Sequence, residues 1–323
     1  MSDLPPTDLL RMTGLTVEYP VGGGRHVHAV SDVALAIRQG ETLGLVGESG
    51  SGKSSLARAL LQLPPPKRGS VLFDGQELTR LRGEALRATR PHLQMIFQDP
   101  IASLNPRRRV AEIVTEPLIV SGVRDAAERT RRVRAVMEAV GLDPDTVWTR
   151  RPHEFSGGQC QRIAIARALV LEPRLIVCDE PVSALDVSIR AQILNLLEDM
   201  KARFGLTLLF IAHDLAVVKS ISDRVAVMYL GKLCEVAESA SLFASPAHPY
   251  TAALIAAIPE PDPDRPLGDT RLRPGDPPSP LDPPSGCRFR TRCPHAEPRC
   301  TAEEPPLRQI APGREVACHF PLV

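Results

Sequence analysis

The octapeptide GESGSGKS, Gly47 to Ser54, sets three glycines ahead of a lysine and a serine. It follows the apolar run TLGLV and opens helical text, the strand–turn–helix context that a phosphate-binding loop requires. Gly47, Glu48, Ser49, Gly50, Ser51 and Gly52 curl the backbone so that N–H groups face an anion. Lys53 then reaches the β- and γ-phosphates of a nucleotide, the Ser54 hydroxyl suits Mg2+, and Ser55 extends the binding set. A second chemical element is RLIVCDE, an apolar strand that ends on Asp179 and Glu180. Asp179 suits the Mg2+ shell, and Glu180 can polarise an attacking water or accept its proton. FIAHD ends the following strand with His213, which either senses a γ-phosphate or is a structural strand-end residue. Gln98 closes MIFQ before the Asp99–Pro100 turn, so its amide either reaches metal or water or belongs to a plain loop. Tyr19, in LTVEYP, either stacks on a base or packs in the core.

EFSGGQCQRIAIARALVLEP, Glu154 to Pro173, repeats the phosphate logic at a second place. Ser156, Gly157, Gly158 and Gln159 make a polar, glycine-rich turn ahead of a helix. Unpaired N–H groups and the positive end of the helix dipole there favour an anion. The residues alone leave open whether the chain supplies that anion itself.

These side chains need a scaffold, and the text between residues 9 and 235 provides one. VALAI, TLGLVG, QMIFQ, RLIVCDE, TLLFIAH and RVAVMYLG read as strands, several of them continuously apolar, as strands covered on both faces are. Helical periodicity fills Ser54–Gln62, Asp125–Val140, Gly158–Leu171 and Val187–Phe204. The alternation predicts an α/β domain with a largely parallel sheet. Strand signals vanish between Asn105 and Phe155, which predicts an inserted helical subdomain.

In their order and spacing, GESGSGKS, Gln98, SGGQ, LIVCDE, the segment SALD (Ser183 to Asp186) and His213 resemble the ATP-binding cassette (ABC) ATPases. The resemblance implies a P-loop NTPase fold with a RecA-like core, an antiparallel β subdomain, an inserted helical subdomain at about 105–165, and a small C-terminal Cys-rich extension. It places the ATPase domain at 9–240 and the extension at 241–323. It also implies that two cassettes pack head to tail, so that Ser156–Gln159 of one chain serve the ATP held by another, and it adds Asp186 to the nucleotide-binding residues. Phe155 stands where the family most often has leucine. IFQDPIASLNPRRRV, CDEPVSALDVSIRAQILNLL and HPYTAALIAAIP narrow the resemblance to the ATPase subunits of di- and oligopeptide importers, whose relatives also import nickel, and SGGQCQRIAIARAL with FIAHDLAVVKSISDRVAVMYLG resembles the second of their two ATPases. The implied cofactors are ATP and Mg2+. The implied partners are a second homologous ATPase, two transmembrane permeases and an extracytoplasmic solute-binding protein. The implied location is the cytoplasmic face of the membrane.

Between Pro259 and Gly286 ten of 28 residues are proline, which predicts a stiff extended connector. Cys287, Cys293, Cys300 and Cys318 follow with spacing C-x5-C-x6-C-x17-C. Four thiolates can hold zinc or an iron–sulfur cluster, or stay unligated; the spacing is longer than zinc pairs prefer, which favours a 4Fe–4S cluster. Some importer ATPases carry such a cluster on a similar motif. Arg288, Arg290, Arg292 and Arg299 either offset its negative charge or form a solvated basic loop. This tail is expected to lie away from the phosphate loop. Cys160, Cys178 and Cys234, in apolar text, read as small buried residues.

Lys and Arg number 39 against 38 for Asp and Glu, which argues against a nucleic-acid partner. The N-terminal MSDLPPTDLL has neither the basic nor the apolar region of a secretory signal, and no run of about 18 apolar residues occurs. A soluble ABC ATPase acting on DNA or ribosomes would carry two cassettes, a long coiled-coil insertion or basic additions. An iron–sulfur regulator would not need an intact set of nucleotide motifs.

Overall fold

The computed structural model describes residues 8–258 and 278–323. Most of the proline-rich connector, 259–277, lies outside the described residues. Two compact units are present: 1–80 with 211–323, and 81–210. Strands β1 (Asp8–Pro20), β2 (His26–Arg38), β3 (Thr42–Val46), β4 (Arg68–Phe73) and β5 (Gln76–Glu77) come first in the chain. β6 (Leu93–Ile96), β7 (Leu175–Asp179) and β8 (Thr207–Ile211) follow. β9 (Arg224–Tyr229), β10 (Lys232–Glu238), β11 (Arg308–Ala311) and β12 (Arg314–Val316) close it.

In the first unit β2, β1, β4 and β5 form an antiparallel sheet in that order. Leu10, Met12, Leu15 and Val17 of β1 are buried, the alternation of a sheet with one core face, shifted by irregularities in the pairing with β2. VALAI therefore belongs to this antiparallel sheet and not to the parallel set. β11, β12, β10, β9 and β3 lie side by side, with β3 parallel to β9 and β10 antiparallel to it. Every residue of β3 and β9 is buried, so neither strand shows an apolar–polar alternation.

The C-terminal extension is part of this unit. β12 pairs with β10 through Glu235↔Val316 and Val236↔Glu315. The fully buried Glu235 carboxylate bonds Arg314 at 2.8 Å and accepts the Ala247 and His248 amides. A buried carboxylate so satisfied holds the chain after β10 and the last hairpin in one place.

In the second unit β8, β7 and β6 lie in that order, with β6 and β7 parallel and both β7 and β8 wholly buried. Among the described residues 105–155 there is no strand; helices Val110–Val120, Ala126–Ala139 and Pro144–Val147 occupy the interval. Val114, Leu118, Val133 and Met137 bury the apolar faces of the first two. Arginines finish the helix ends: Arg162 donates to the Val140 carbonyl at 2.6 Å and Arg132 to that of Val170 at 2.8 Å. Carbonyls left over at a helix C-terminus are good partners for a cation.

Candidate nucleotide site

In the first unit, β3 runs into the glycine-rich loop and then into the helix Lys53–Leu60. Gly47 has φ 153°, and a Cβ there would fall on the Met228 carbonyl; Gly52 has φ 104°, and a Cβ there would fall on that of Ala29. Only glycine lets the loop lie this close to its neighbours. Lys53 is 5% exposed, and its ammonium donates to the carbonyls of Gly47 at 2.8 Å and Glu48 at 3.0 Å. Ser51 is buried, Ser54 and Ser55 are half-buried, and Ser49 and Gly50 are exposed. The buried cation under a loop of backbone amides makes a pocket for a polyanion. The Ala212 amide bonds the Leu45 carbonyl at 3.4 Å, which sets the exposed His213 beside the end of β3. Tyr19 lies in β1 opposite Val27, half-buried.

The second unit carries the other motifs. Asp179 ends β7, 3% exposed, and Glu180 follows in the left-handed region at φ 48°. A non-glycine residue held there is uncommon and turns its side chain away from the strand direction. Gln98 Nε2 donates to the Glu180 carboxylate at 3.1 Å, so these two residues, 82 apart in sequence, meet. Behind them burial, with the charge of Asp179, pushes the Cys178 thiol up to about 12, so it stays protonated and inert.

The helix Gly157–Leu169 begins with a complete capping box: Ser156 Oγ accepts the Gln159 amide at 3.3 Å, and Gln159 Oε1 accepts the Ser156 amide at 3.0 Å. Asp186 is exposed at the start of the helix Val187–Phe204. Ser183 Oγ donates to the Glu180 carbonyl at 3.1 Å.

Residues 30–183 match the ABC transporter family model, and residues 234–300 match the model for the oligopeptide/dipeptide transporter C-terminal region. The oligopeptide transport ATP-binding protein OppF of Escherichia coli K12 is 52% identical over 309 residues, covering 93% of this chain and 92% of that protein. The chain belongs to the ABC transporter ATP-binding family of oligopeptide type. Among solved structures, the dimeric, post-hydrolysis ATP-binding cassette MJ0796 bound to ADP and Pi is 29% identical with a TM-score of 0.65, over 71% of this chain and 98% of that one. CbiO1 of Clostridium perfringens, part of the transporter complex CbiONQ, is 28% identical with the same TM-score, over 73% of this chain and 91% of that one. The cassette fold and its ATPase activity follow from this membership.

The oligopeptide-type extension corrects one expectation. It does not lie away from the phosphate loop. Arg292 Nη1 donates to both carboxylate oxygens of Glu48, at 2.9 and 2.8 Å, and the Glu48 amide donates to the Tyr250 hydroxyl at 2.9 Å. The four tail arginines have protein partners: besides Arg292 on Glu48, Arg288 bonds the Leu230 carbonyl and Ser31, Arg290 bonds Ser285, and Arg299 bonds Glu303. HPYTAALIAAIP was legible as family text, yet nothing in it pointed Tyr250 at the loop two hundred residues earlier.

Cys287, Cys293, Cys300 and Cys318 all line one small cavity, together with His248 and Pro249 at the start of the helix Pro249–Ala256. All seven cysteines are thiols without a disulfide. Among the described residues, no group of three or more His, Cys, Asp or Glu side chains is arranged to hold a metal ion. Burial pushes the Cys287 thiol up to about 11 and raises that of Cys318. Cys160, Cys178 and Cys234 are buried, as small apolar residues are.

Proposed function

We propose that this cassette is the ATP-hydrolysing subunit that powers import of di- and oligopeptides across the cytoplasmic membrane. The supporting observation is identity of 52% to OppF over nearly the whole of both chains, extension included. Lys53 and the amides of Gly47 to Gly52 hold the β- and γ-phosphates. Ser54, Gln98 and Asp179 serve Mg2+, Ser55 extends the nucleotide-binding set, and Tyr19 stacks on the base. Glu180 orients or deprotonates the attacking water, with His213 sensing the γ-phosphate. Ser156, Gly157, Gly158 and Gln159 act on the ATP of a second, homologous ATPase, and Asp186 belongs to the nucleotide-binding set. Two permeases and an extracytoplasmic binding protein complete the importer, with this subunit peripheral on the cytoplasmic face. Among the described residues no helix is long and apolar enough to cross a membrane. Phe97 and Ile101 flank Gln98 and are 39% and 56% exposed, as befits a surface covered by a membrane partner. Vesicles reconstituted with the permeases and binding protein should take up a labelled peptide only with ATP inside the subunit's compartment. Lys53→Ala should stop it. Uptake that persists without this subunit overturns the proposal.

As a finer part of the same reading, the four extension thiols take a 4Fe–4S cluster, with zinc as the alternative. Four thiols around one cavity are the right donor chemistry, and the bound centre would supply folding energy to a proline-rich segment. Anaerobically purified protein should be brown, and Cys293→Ser should bleach it and expose residues beyond Gly286 to proteolysis. Colourless protein with stoichiometric zinc rejects the cluster, and colourless, metal-free protein with a protease-resistant extension rejects both.

A further inference from the structure

Glu48 is the second residue of the loop after the strand, and it is held at three points. Its carbonyl accepts the Lys53 ammonium at 3.0 Å. Its amide donates to the Tyr250 hydroxyl at 2.9 Å, and its carboxylate takes Arg292 at 2.8 Å. Two of these three holds come from the C-terminal extension, more than two hundred residues away. We infer that Tyr250 and Arg292 are positioning residues of the nucleotide site: the extension sets the curvature of the phosphate loop, and through Glu48 the reach of Lys53.

The supports behind both side chains are rigid. Tyr250 is 1% exposed, and its ring meets Tyr229 edge-on at 4.7 Å. Phe289, equally buried, packs on Tyr229 at 5.2 Å and on Tyr250 at 5.3 Å. The Arg292 and Cys293 amides both bond the Phe289 carbonyl at 3.0 Å, so the turn presenting Arg292 is pinned by the same aromatic cluster. Arg288 ties that turn to the Leu230 carbonyl and to Ser31 at 2.8 Å. The Glu48 side chain is 30% exposed against 12% for Arg292, so the pair is partly shielded from water. A partly desolvated, charge-assisted bond on a rigid support fixes geometry better than a surface ion pair does. A loop that must place a cluster of amides and one ammonium on a triphosphate gains from such fixing, because small misplacement there is costly.

The inference rests on the nucleotide reading above, and Lys53→Ala separates the two. Mg-ATP binding to the full-length chain is measured by titration calorimetry, alongside the melting temperature without nucleotide. Lys53→Ala should abolish binding; if it does not, the nucleotide reading falls and this inference with it. Arg292→Ala should raise the ATP Kd about tenfold, with melting shifted by no more than about 2 °C, and Arg292→Lys should recover part of the loss. Tyr250→Phe removes one oxygen and keeps the ring, so it decides the matter even if Arg292→Ala fails to fold; it should raise the Kd about fivefold. Adding Glu48→Gln to Arg292→Ala should weaken binding no further than the single change, since one interaction is lost in both. An ATP Kd unchanged in Arg292→Ala and Tyr250→Phe, or a lowered melting temperature with unchanged Kd, overturns the inference and leaves the extension a purely structural attachment.

Discussion

Two helices in this cassette start behind glycine-rich turns, and they are finished in opposite ways. Gly52, at the head of Lys53–Leu60, is left-handed and brings no capping side chain, while the ammonium of Lys53 is buried beneath the loop. Ser156, at the head of Gly157–Leu169, closes a full capping box with Gln159. The first start therefore has backbone amides with no capping side chain of its own beside a buried lysine, and a triphosphate fits it. The second has its capping box formed without ligand, and that cap is exposed. An anion reaching it adds to a structure already formed, which suits a contact made only when another chain closes on it. Building differs as well. The first loop is braced from the far end of the chain through Glu48, whereas the second turn is braced by residues three apart.

The largest test of this contrast removes hydrolysis and leaves both helix starts untouched. Glu180→Gln keeps the shape of the side chain and its neighbour Gln98 but removes the carboxylate proposed as the base. Turnover with partners present should fall by about 10²–10⁴-fold, the usual weight of a general base. ATP should still bind, and an ATP-bound pair of cassettes should accumulate on gel filtration. Near-normal turnover would remove Glu180 from the proposed mechanism.

Next in size is a charge placed at the second start. A Cβ at Gly157 meets only Leu185 Cδ2 at 3.6 Å, an ordinary contact, so the chain itself has room for a side chain there. Gly157→Ala should therefore melt like the parent. Gly157→Asp sets a carboxylate where a γ-phosphate should arrive, and ATP-driven pairing should be lost while ATP still binds at Lys53. If pairing survives the aspartate, the second turn does not meet nucleotide and the contrast drawn above fails.

Much of this was legible in the sequence, and the reason is local. GESGSGKS, RLIVCDE and SGGQ each encode a turn whose conformation depends on near neighbours, so the residues announced the loop, the strand end and the capped helix directly. The meeting of Gln98 with Glu180 was half legible, since each closes a strand but only the parallel pairing of β6 with β7 puts them in reach. What stayed hidden was long-range. VALAI reads like a core strand, yet its pairing with β1 made it antiparallel. Tyr250 and Arg292 carry no local signal, because their target is fixed by where the extension folds back and not by their neighbours in the chain. The partners of the tail arginines Arg288 and Arg292 were equally hidden, because Leu230, Ser31 and Glu48 lie far from them in the chain.

The adjacent glycine sharpens the contrast on a smaller scale. A Cβ at Gly158 would stand 2.5 Å from Ile189 Cγ2, a stiff β-branched side chain. Gly158→Ala should cost about 1–2 kcal/mol in denaturant unfolding, the overpacking penalty less the helix propensity gained. The pair Gly157→Ala and Gly158→Ala then reads out which glycine is kept for its own chain's packing and which for an outside contact. Equal losses at both positions would erase that distinction.

The smallest effect tests the premise that the second helix start is self-sufficient. Ser156→Ala removes the acceptor for the Gln159 amide and unlocks the glutamine that answers it, so the second unit should lose about 1 kcal/mol of stability without nucleotide. Gln159→Ala should cost a similar or smaller amount, and the double variant should fall short of the sum, because the box forms and breaks as one element. Urea unfolding of the nucleotide-free chain measures all three. The first start behaves differently under the same treatment: no capping side chain stands at Gly52 to delete, and nucleotide is what should raise its stability. If Ser156→Ala leaves unfolding unchanged, the box contributes nothing in solution. The second turn would then need its outside anion as much as the first needs its own, and the division between a braced loop and a finished cap would collapse.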